Sequence, residues 1–378
     1  MVVRFGVIGT GNIGSQHIQL LLSGKITGAE LAATASRSAP GLVTGVPHFK
    51  DYRQMLDSAD INAVLIATPT MNHIEMAQEA IQRGLPIMME KPLAMSVHQA
   101  ERLLALVPEQ LQFAVMLSQR FHPAYAKLKQ LLIEGVIGNL QRIGWIMTRW
   151  YRPDIYYQVS SWRGTWPGEG GGLLINQCIH NLDVLQWLVG LPDSITAQVG
   201  FGKHHDIDVE DEVNAIMTFR NGATGTLTAS SGEAPGVNRL EIIGDSGSLI
   251  LEDGIINVLR AGENVRTHCQ STHEMFGMPA FKGEVIEITD ESSPHAAVLQ
   301  NFVDSLQAGS ELLTPAEQGL GSLQLANGIL LSAWKNETVR LPIDVNEYEV
   351  RLQEKIAGAS LRKPKDLIVE IDMEKSYR

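Results

Sequence analysis

Short apolar runs alternate with helix-like periodicity through the first 120 residues. An unbroken apolar run of about four to eight residues is typical of a buried strand, and apolar residues every three or four positions are typical of an amphipathic helix. The pattern predicts strands at Val3–Ile8, Leu31–Ala35, Ala63–Ala67, Pro86–Met89 and Gln112–Leu117, with helices at Gly14–Leu22, Met71–Arg83 and Ser96–Leu106. Strands that alternate with helices form parallel sheets, so residues 1–120 are predicted to be an α/β domain.

The pattern changes after Phe121. It predicts helices at 122–134 and 173–189, a strand at 140–150, and an antiparallel meander from 194 to 260, in which Asn221-Gly222 is a strong hairpin signal. Two helices close the region, the second starting at the capping box that begins with Thr314. Residues 121–345 are therefore predicted to be an α+β domain, and residues 346–378 a polar C-terminal tail of undecided structure.

Charge and composition restrict the class of partner and the compartment. The formal charge of −12 makes nucleic acid an improbable partner, because an acidic surface repels phosphate backbones. No apolar run reaches the roughly 18 residues that a membrane span needs, so no membrane partner is expected. Two cysteines far apart, Cys178 and Cys269, and an N-terminus that enters a strand directly lead us to expect a cytoplasmic protein.

A glycine-rich loop joins the first predicted strand to the first predicted helix. It matches G-x-G-x-x-G, in which the glycines allow a tight turn, the approach of a pyrophosphate and close helix packing. The predicted cofactor-binding residues of this loop are Gly9, Gly11, Asn12, Ile13 and Gly14. The alternative is a tight strand–helix turn without a ligand.

The end of the second strand bears on the choice of dinucleotide. NAD sites usually have an acidic residue there to hold the ribose diol, whereas this chain has Ser36 and Arg37. A hydroxyl and a guanidinium suit a 2′-phosphate, so NADP is predicted, with NAD as the alternative. Arg37 could instead be a solvated loop residue.

Glu90, Lys91 and Pro92 follow the fourth strand, at the edge where open α/β sheets bind ligands. A cis bond before Pro92 would direct Lys91 into the cleft. A cationic nicotinamide nearby should lower the lysine pKa and suit it to proton transfer.

A second group of polar residues follows the glycine run Gly170–Gly172. On one continuous helix, Asn176, His180 and Asp183 would project from nearly the same face. Histidine is the usual acid/base near neutral pH, so His180 is a candidate catalytic residue. The glycines would let the helix start close to a cofactor. Alternatively His180 is a core residue, and Asp183 either supports it or faces another helix.

Aromatic residues and arginines are concentrated between Trp145 and Trp166. Aromatic faces with arginine donors suit a sugar ring, and Tyr157 is a predicted substrate-binding residue. Sheet packing or a subunit interface explains the same composition equally well. No cluster of metal ligands is apparent, and no metal is predicted.

These motifs together resemble the Gfo/Idh/MocA oxidoreductase family, to about residue 340. The resemblance rests on the glycine loop, Ala67-Thr68-Pro69-Thr70 with Asn72-His73, Glu90-Lys91-Pro92, Ser161-Trp162-Arg163-Gly164, and Gly170–Gly172 leading to His180 and Asp183. It implies a Rossmann NAD(P)-binding domain, a C-terminal domain with an open, mainly antiparallel sheet, and a homodimer or homotetramer formed through that sheet.

The resemblance also implies roles for individual residues. Residues Thr68, Pro69, Asn72 and His73 would line the cofactor, Glu90 and Lys91 would meet the nicotinamide, and Trp162 and Arg163 would lie near its nicotinamide half. The alternative for the segment from Thr68 to His73 is a strand-end turn with a helix cap.

The expected reaction is hydride transfer with a secondary alcohol or ketone of a sugar or an inositol-like polyol. His180 would take the hydroxyl proton, Lys91 would hold the developing oxyanion, and Asn176 would orient the hydroxyl, all three binding substrate. Many polyol dehydrogenases of the family have an aspartate where this chain has Asn176. A redox-assisted lyase or glycosidase, or a dinucleotide-sensing regulator, are the alternatives.

Overall fold

A parallel sheet forms the N-terminal part of this computed structural model, which describes residues 2–37, 45–289, 293–367 and 369. Its strands are β1 (Val3–Ile8), β2 (Ala29–Ala35), β3 (His48–Phe49), β4 (Ala63–Ile66), β5 (Ile87–Met89) and β6 (Phe113–Val115). The helices between them are α1 (Asn12–Leu22), α2 (Tyr52–Ser58), α3 (His73–Gln82) and α4 (Val97–Leu104). The order β3-β2-β1-β4-β5-β6 is doubly wound and reverses between β1 and β4, where such sheets bind ligands. The prediction of a Rossmann domain is confirmed.

A nine-stranded sheet dominates the C-terminal part. Its strands are β7 (Leu140–Met147), β8 (Ser194–Phe201), β9 (Glu210–Thr218), β10 (Thr224–Ser230), β11 (Asn238–Gly244), β12 (Gly247–Glu252), β13 (Ile255–Ala261), β14 (Phe281–Glu287) and β15 (Val339–Arg340). The order is β14-β13-β12-β11-β7-β10-β9-β8-β15, and only the pair β7–β10 is parallel. The open, mainly antiparallel sheet is confirmed.

The remaining helices surround that sheet or connect it to the first one. They are α5 (Pro123–Ile133), α6 (Asp154–Gln158), α7 (Trp166–Glu169), α8 (Leu173–Asn176), α9 (Ile179–Val189), α10 (Val265–Ser271), α11 (Pro294–Ala308), α12 (Gly319–Lys335) and α13 (Val345–Ala357). The prediction of one continuous helix over 173–189 is wrong, because the chain breaks between α8 and α9. Among the described residues, no helix is both long and apolar enough to cross a membrane.

Helix α11 packs on the first sheet although it lies far along the chain. Phe302 is fully buried, and its ring centroid lies 6.2 Å from that of Phe5 in β1. Val298 and Leu299 belong to the same buried cluster as Val3. Helices α1 and α11 therefore cover one face of the Rossmann sheet. The domain boundary at residue 120 remains a prediction.

The segment that the sequence left undecided begins with a helix. Tyr348 and Leu352 of α13 are buried, and the Tyr348 ring stacks on Trp334 of α12 with centroids 5.1 Å apart. Asp344 caps the helix by accepting the N–H groups of Asn346 and Glu347. The helix is thus part of the folded molecule.

Candidate active site

Three loops meet at the carboxyl ends of β1, β4 and β5. The Gly9 N–H donates to the Ala35 carbonyl (2.8 Å), the Ala67 N–H to Ile8 (2.8 Å) and the Glu90 N–H to Ile66 (2.8 Å). These hydrogen bonds continue the hydrogen-bond pattern of the parallel sheet by one residue into each loop. The glycine loop, the segment after Ala67 and the Lys91 loop are consequently adjacent.

The three motif glycines have three different environments. Gly9 has a φ of 96°, and a Cβ there would lie 2.4 Å from the Ala67 carbonyl oxygen. A Cβ on Gly14 would lie 2.0 Å from the Gly9 carbonyl oxygen, whereas one on Gly11 would have no atom within 4 Å. Gly11 is also the N-cap of α1, and no side chain caps it. An open approach to uncapped N–H groups fits an anionic pyrophosphate.

The other predicted dinucleotide residues near this loop lie beside it. Asn12 and Ile13 are the first two residues of α1. The Thr10 hydroxyl donates to Ser36 Oγ (2.7 Å), which joins the end of β2 to the glycine loop. Arg37, the next residue, is exposed. Ser36 and Arg37 thus lie at the end of β2 beside the glycine loop, and their contact with the adenosine ribose of a dinucleotide remains a prediction.

The segment from Thr68 to His73 contains two buried residues, Thr70 and His73, and its other residues are partly or fully exposed. Thr68, Pro69 and Asn72 are partly exposed, and Asn72 precedes α3 without capping it, so its side chain is not accounted for by helix capping. His73 is fully buried, and its ring nitrogens contact the carbonyl oxygens of Pro92 (2.8 Å) and Thr68 (2.9 Å). His73 therefore links the two loops. Its predicted contact with the cofactor remains a prediction.

Lys91 reaches from β5 across to the second domain. The Lys91–Pro92 bond is cis, and Lys91 Nζ donates to the backbone carbonyl of Asn176 (2.8 Å). Burial lowers the pKa of Lys91, although the nearby Glu90 and Glu169 oppose that effect. The structure thus brings together Lys91 and Asn176, two of the three predicted catalytic residues.

His180 is the third, and its ring is buried without partners. It is 3% exposed, and neither ring nitrogen has a hydrogen-bond partner among the described residues. Burial, followed by the charge of Lys91, lowers the pKa of His180 well below 6.5. An unsatisfied buried imidazole is costly, so a bound group that hydrogen-bonds it would remove this cost.

Asp183 has a structural partner. Its carboxylate accepts from the Arg120 guanidinium at 2.8 Å and 2.6 Å, and both side chains are buried. Gln186 donates to the same carboxylate (3.0 Å). Asp183 therefore faces the segment before α5, and its carboxylate forms no hydrogen bond with His180 within the described residues.

The structure bears on two predictions about neighbouring residues. The Tyr157 hydroxyl lies 3.4 Å from Ser231 Oγ, and the neighbouring Tyr156 hydroxyl accepts from Asn176 Nδ2 (3.3 Å), so the substrate-binding role of Tyr157 remains a prediction. The glycine run before α8 packs against protein rather than a cofactor. A Cβ on Gly170 would lie 2.4 Å from Met95 Cβ, and one on Gly172 would lie 2.3 Å from the backbone oxygen of Glu210.

The aromatic stretch divides between core and site. Trp145 is buried in the core beside Tyr125. Near Asn176, the Arg163 guanidinium lies 4.3 Å from the ring centroid of Tyr156 and 5.0 Å from that of Trp162. Arg163 Nε is buried and has no hydrogen-bond partner within the described ranges. Core packing therefore accounts for Trp145, whereas a role of the residues near Asn176 in binding substrate or cofactor remains a prediction.

A buried histidine–carboxylate pair next to Lys91 was not found by the sequence analysis. His17 Nε2 of α1 lies 2.6 Å from Glu90 Oε1, and Glu90 Oε2 accepts the Lys91 N–H (3.2 Å). Burial alone would raise the pKa of Glu90, but the His17 hydrogen bond and nearby positive charges lower it to about 2. The His295 ring of α11 lies 5.8 Å from His17. No spacing in the sequence connects these residues.

Metal ligation is not indicated by the described residues, which contain no group of three or more His, Cys, Asp or Glu side chains able to hold an ion. The conspicuous pair His204 and His205 is engaged otherwise. His204 contacts Glu212 (2.8 Å), and His205 contacts Asp211 (3.1 Å).

Comparison with known proteins agrees with this architecture. Inositol 2-dehydrogenase of Rhizobium meliloti (strain 1021) is 22% identical over 90% of this chain and 100% of its own. The scyllo-inositol 2-dehydrogenase (NAD(+)) of Bacillus subtilis (strain 168) is 29% identical over 66% of this chain and 73% of its own.

Solved structures also match nearly the whole chain. The WlbA dehydrogenase from Bordetella pertussis, in complex with NADH and UDP-GlcNAcA, has a TM-score of 0.76 and 25% identity, covering 91% of this chain and 100% of its own. A levoglucosan dehydrogenase in complex with NADH has a TM-score of 0.76 at 22% identity, with the same coverage, and shows the fold alone.

Family profiles cover both domains. Residues 3–117 match the oxidoreductase family with an NAD-binding Rossmann fold, and residues 125–250 match the GFO/IDH/MocA C-terminal domain. The glycine loop, Lys91 and His180 lie inside these two ranges. The chain therefore belongs to the Gfo/Idh/MocA family of NAD-binding oxidoreductases.

Proposed function

We propose that Lys91, Asn176 and His180 form the site at which this oxidoreductase acts on a secondary alcohol of a sugar or polyol. The observation that carries the proposal is the buried His180 ring, whose two nitrogens lack partners among the described residues while Lys91 and Asn176 meet beside it. Relatives named for inositol support a polyol as substrate. When bound, a nicotinamide dinucleotide supplies the hydride acceptor or donor.

The protein groups divide the proton chemistry between them. Because its pKa is well below 6.5, His180 is neutral at pH 7, the form in which an imidazole accepts a hydroxyl proton. Lys91 Nζ is a donor for the oxygen that becomes a carbonyl. Asn176 can orient the hydroxyl but cannot take its proton. The buried surroundings exclude water and strengthen each of these contacts.

Turnover measurements test this assignment. Inositols and levoglucosan are offered with NAD and NADP, and absorbance of the reduced nicotinamide is followed. Lys91→Ala should lower turnover by roughly 10²–10³, and His180→Ala by roughly 10²–10⁴. Lys25→Ala, an exposed lysine on the first domain, is the matched control. Near-normal turnover of His180→Ala would overturn its role.

The alternatives predict different observations. A redox-assisted lyase or glycosidase would consume substrate with no net change in reduced nicotinamide. A regulator would bind the dinucleotide without turnover, and then Lys91→Ala would change no rate. A sensor needs only the cofactor site, so the joint presence of Lys91 and His180 favours the enzyme.

We further propose that NADP is the preferred dinucleotide. Ser36 is tied to the glycine loop, and the exposed Arg37 follows it without an acidic neighbour among residues 31–37. Fluorescence titration should show tighter binding of NADPH than NADH, with the preference lost in Arg37→Ala. Arg220→Ala, also an exposed arginine, should leave it unchanged. A clear NADH preference that Arg37→Ala does not alter would refute the proposal.

We also propose a homo-oligomer joined through the open face of the second sheet. Ile146 and Ile216 are 42% and 60% exposed there, and the strand register places both on that face. Exposed apolar residues on an open sheet face favour association. Ile216→Asp should shift the mass in light scattering toward the monomer, whereas Ile133→Asp, exposed at the end of α5, should not. A wild-type protein that is monomeric at micromolar concentration would refute the proposed homo-oligomer.

A further inference from the structure

A buried carboxylate that the reaction above does not use lies next to Asn176. Glu169, the last residue of α7, is 2% exposed. Its Oε2 accepts the Gly164 N–H (2.6 Å), and its Oε1 accepts from Asn176 Nδ2. Glu169 thus contacts, through its side chain, the residue expected to orient the substrate hydroxyl.

The contacts of Asn176 fix which end of its amide is available. An ionised carboxylate can only accept hydrogen bonds, so Nδ2 must face Glu169. The same nitrogen also donates to the Tyr156 hydroxyl (3.3 Å), and Lys91 Nζ holds the backbone carbonyl of Asn176. No contact with Asn176 Oδ1 is present among the described residues, so this oxygen remains as the acceptor.

We propose that Glu169 is a positioning residue that selects which end of the Asn176 amide meets the substrate oxygen. This inference rests on the proposed function of the site. With Glu169 ionised, Asn176 offers Oδ1, which accepts the O–H of a second substrate hydroxyl, beside the one whose proton His180 takes. With Glu169 protonated, the carboxylic acid donates to Oδ1, the amide turns over, and Nδ2 replaces that acceptor with a donor. No covalent bond changes, and the proton is exchanged with solvent.

The surroundings of Glu169 make both forms accessible near neutral pH. Burial raises its pKa to about 7, and the nearby Glu210 acts in the same direction. The Gly164 hydrogen bond, the charge of Arg163 and the bond from Asn176 oppose that rise. Lys91 and Tyr157 also face the carboxylate.

Nuclear magnetic resonance of protein labelled with ¹⁵N-asparagine tests the inference without any turnover. The side-chain signal missing from Asn176→Asp identifies Asn176. In the wild type this signal should shift with pH, with a midpoint near 7, and in Glu169→Gln the shift should vanish. A wild-type signal constant from pH 5.5 to 8.5, or an unchanged titration in Glu169→Gln, would overturn the inference.

Glu210→Gln is the matched control. Burial raises the pKa of Glu210 to about 7 as well, but its carboxylate accepts the N–H groups of Gly172 and Leu174 instead. The Asn176 titration should persist in this variant, with its midpoint moved to lower pH because a neighbouring negative charge is lost. If the Asn176 titration is lost in Glu210→Gln but persists in Glu169→Gln, then Glu210 controls the amide, and the inference about Glu169 is overturned.

A kinetic measurement extends the test to the substrate. The KM of the alcohol that is turned over best should rise about tenfold from pH 8 to pH 6, since the ionised fraction of a group titrating near 7 falls by about that factor. In Glu169→Gln the KM should not depend on pH in this range, and a KM profile like that of the wild type would overturn the inference. If no polyol is turned over while the Asn176 signal still titrates, the proposed function fails and the link between Glu169 and the amide stands.

Discussion

Alanine substitutions at Gly11 and Gly14 should separate cofactor binding from folding. An added Cβ at Gly11 meets no atom within 4 Å, and the backbone there (φ −71°, ψ −166°) suits alanine. We expect the unfolding free energy to fall by about 1 kcal/mol or less, because alanine is a poorer N-cap than glycine but restricts the unfolded chain more. At Gly14 the Cβ would lie 2.0 Å from the Gly9 carbonyl oxygen. Forcing that contact should cost at least about 1–3 kcal/mol.

For dinucleotide binding, in contrast to stability, we expect the clearer effect at Gly11. If the open space at Gly11 is where the pyrophosphate approaches, a methyl group there overlaps the ligand. A penalty of roughly 1–3 kcal/mol corresponds to about 5- to 150-fold weaker binding. Nicotinamide fluorescence measures the affinity of each variant, and thermal unfolding measures its stability.

The result that would refute this reasoning is a Gly11→Ala protein with normal stability and normal affinity for both NADH and NADPH. The dinucleotide would then not approach the α1 N-terminus at this glycine. A Gly14→Ala protein as stable as the wild type would show that α1 moves away from β1 at little cost.

Three further predictions concern buried groups. Arg120→Ala should lower stability by about 3–5 kcal/mol because Asp183 stays buried without its cation, whereas the double change Arg120→Met, Asp183→Leu should cost much less in denaturant titrations. Because the pKa of Glu90 is lowered in the folded protein, ionised Glu90 stabilises the fold above pH 4.5, and this stabilisation is lost as the pH falls toward 2. The stabilisation is on the order of 3 kcal/mol. His17→Ala should therefore reduce the stability difference between pH 7 and pH 3, and an unchanged difference would contradict the pairing. Tyr348→Ala should cost about 3–5 kcal/mol in chemical unfolding, and a change below 1 kcal/mol would show that α13 is not part of the core.

Hydrophobic periodicity was sufficient to predict most of the strands and helices. Apart from Arg4, the runs at Val3–Ile8 and Ala63–Ala67 are buried on both faces, so they are almost entirely apolar and easily detected. Strand β3 was missed because its two residues, His48 and Phe49, are too few to show a period. The break between α8 and α9 was missed because the apolar pattern continues through Gln177 and Cys178.

The site could be predicted only where a motif is contiguous. The glycine loop and Glu90-Lys91-Pro92 are local patterns, and His180 was identified by its spacing from Asn176 and Asp183 after a glycine run. Pairs joined by the fold leave no such pattern: His17 and Glu90 are 73 positions apart in sequence, and Arg120 and Asp183 are 63 apart. The contact of Glu169 with Asn176 spans only seven positions, yet the chain leaves the helical conformation between α7 and α8, at Gly170–Gly172, so no helical spacing reveals it.

The packing of α11 on the Rossmann sheet has a consequence for synthesis on the ribosome. The last strand of that sheet, β6, ends at Val115, but one sheet face is covered by Phe302 and its neighbours. At roughly 5–20 residues per second, the nascent chain must wait on the order of 10–40 s before α11 emerges. During that interval Val3, Phe5 and Val7 remain without their partner helix. The first 120 residues should therefore expose an apolar sheet face until translation is nearly complete, and a gene fragment ending near residue 120 should yield aggregated protein.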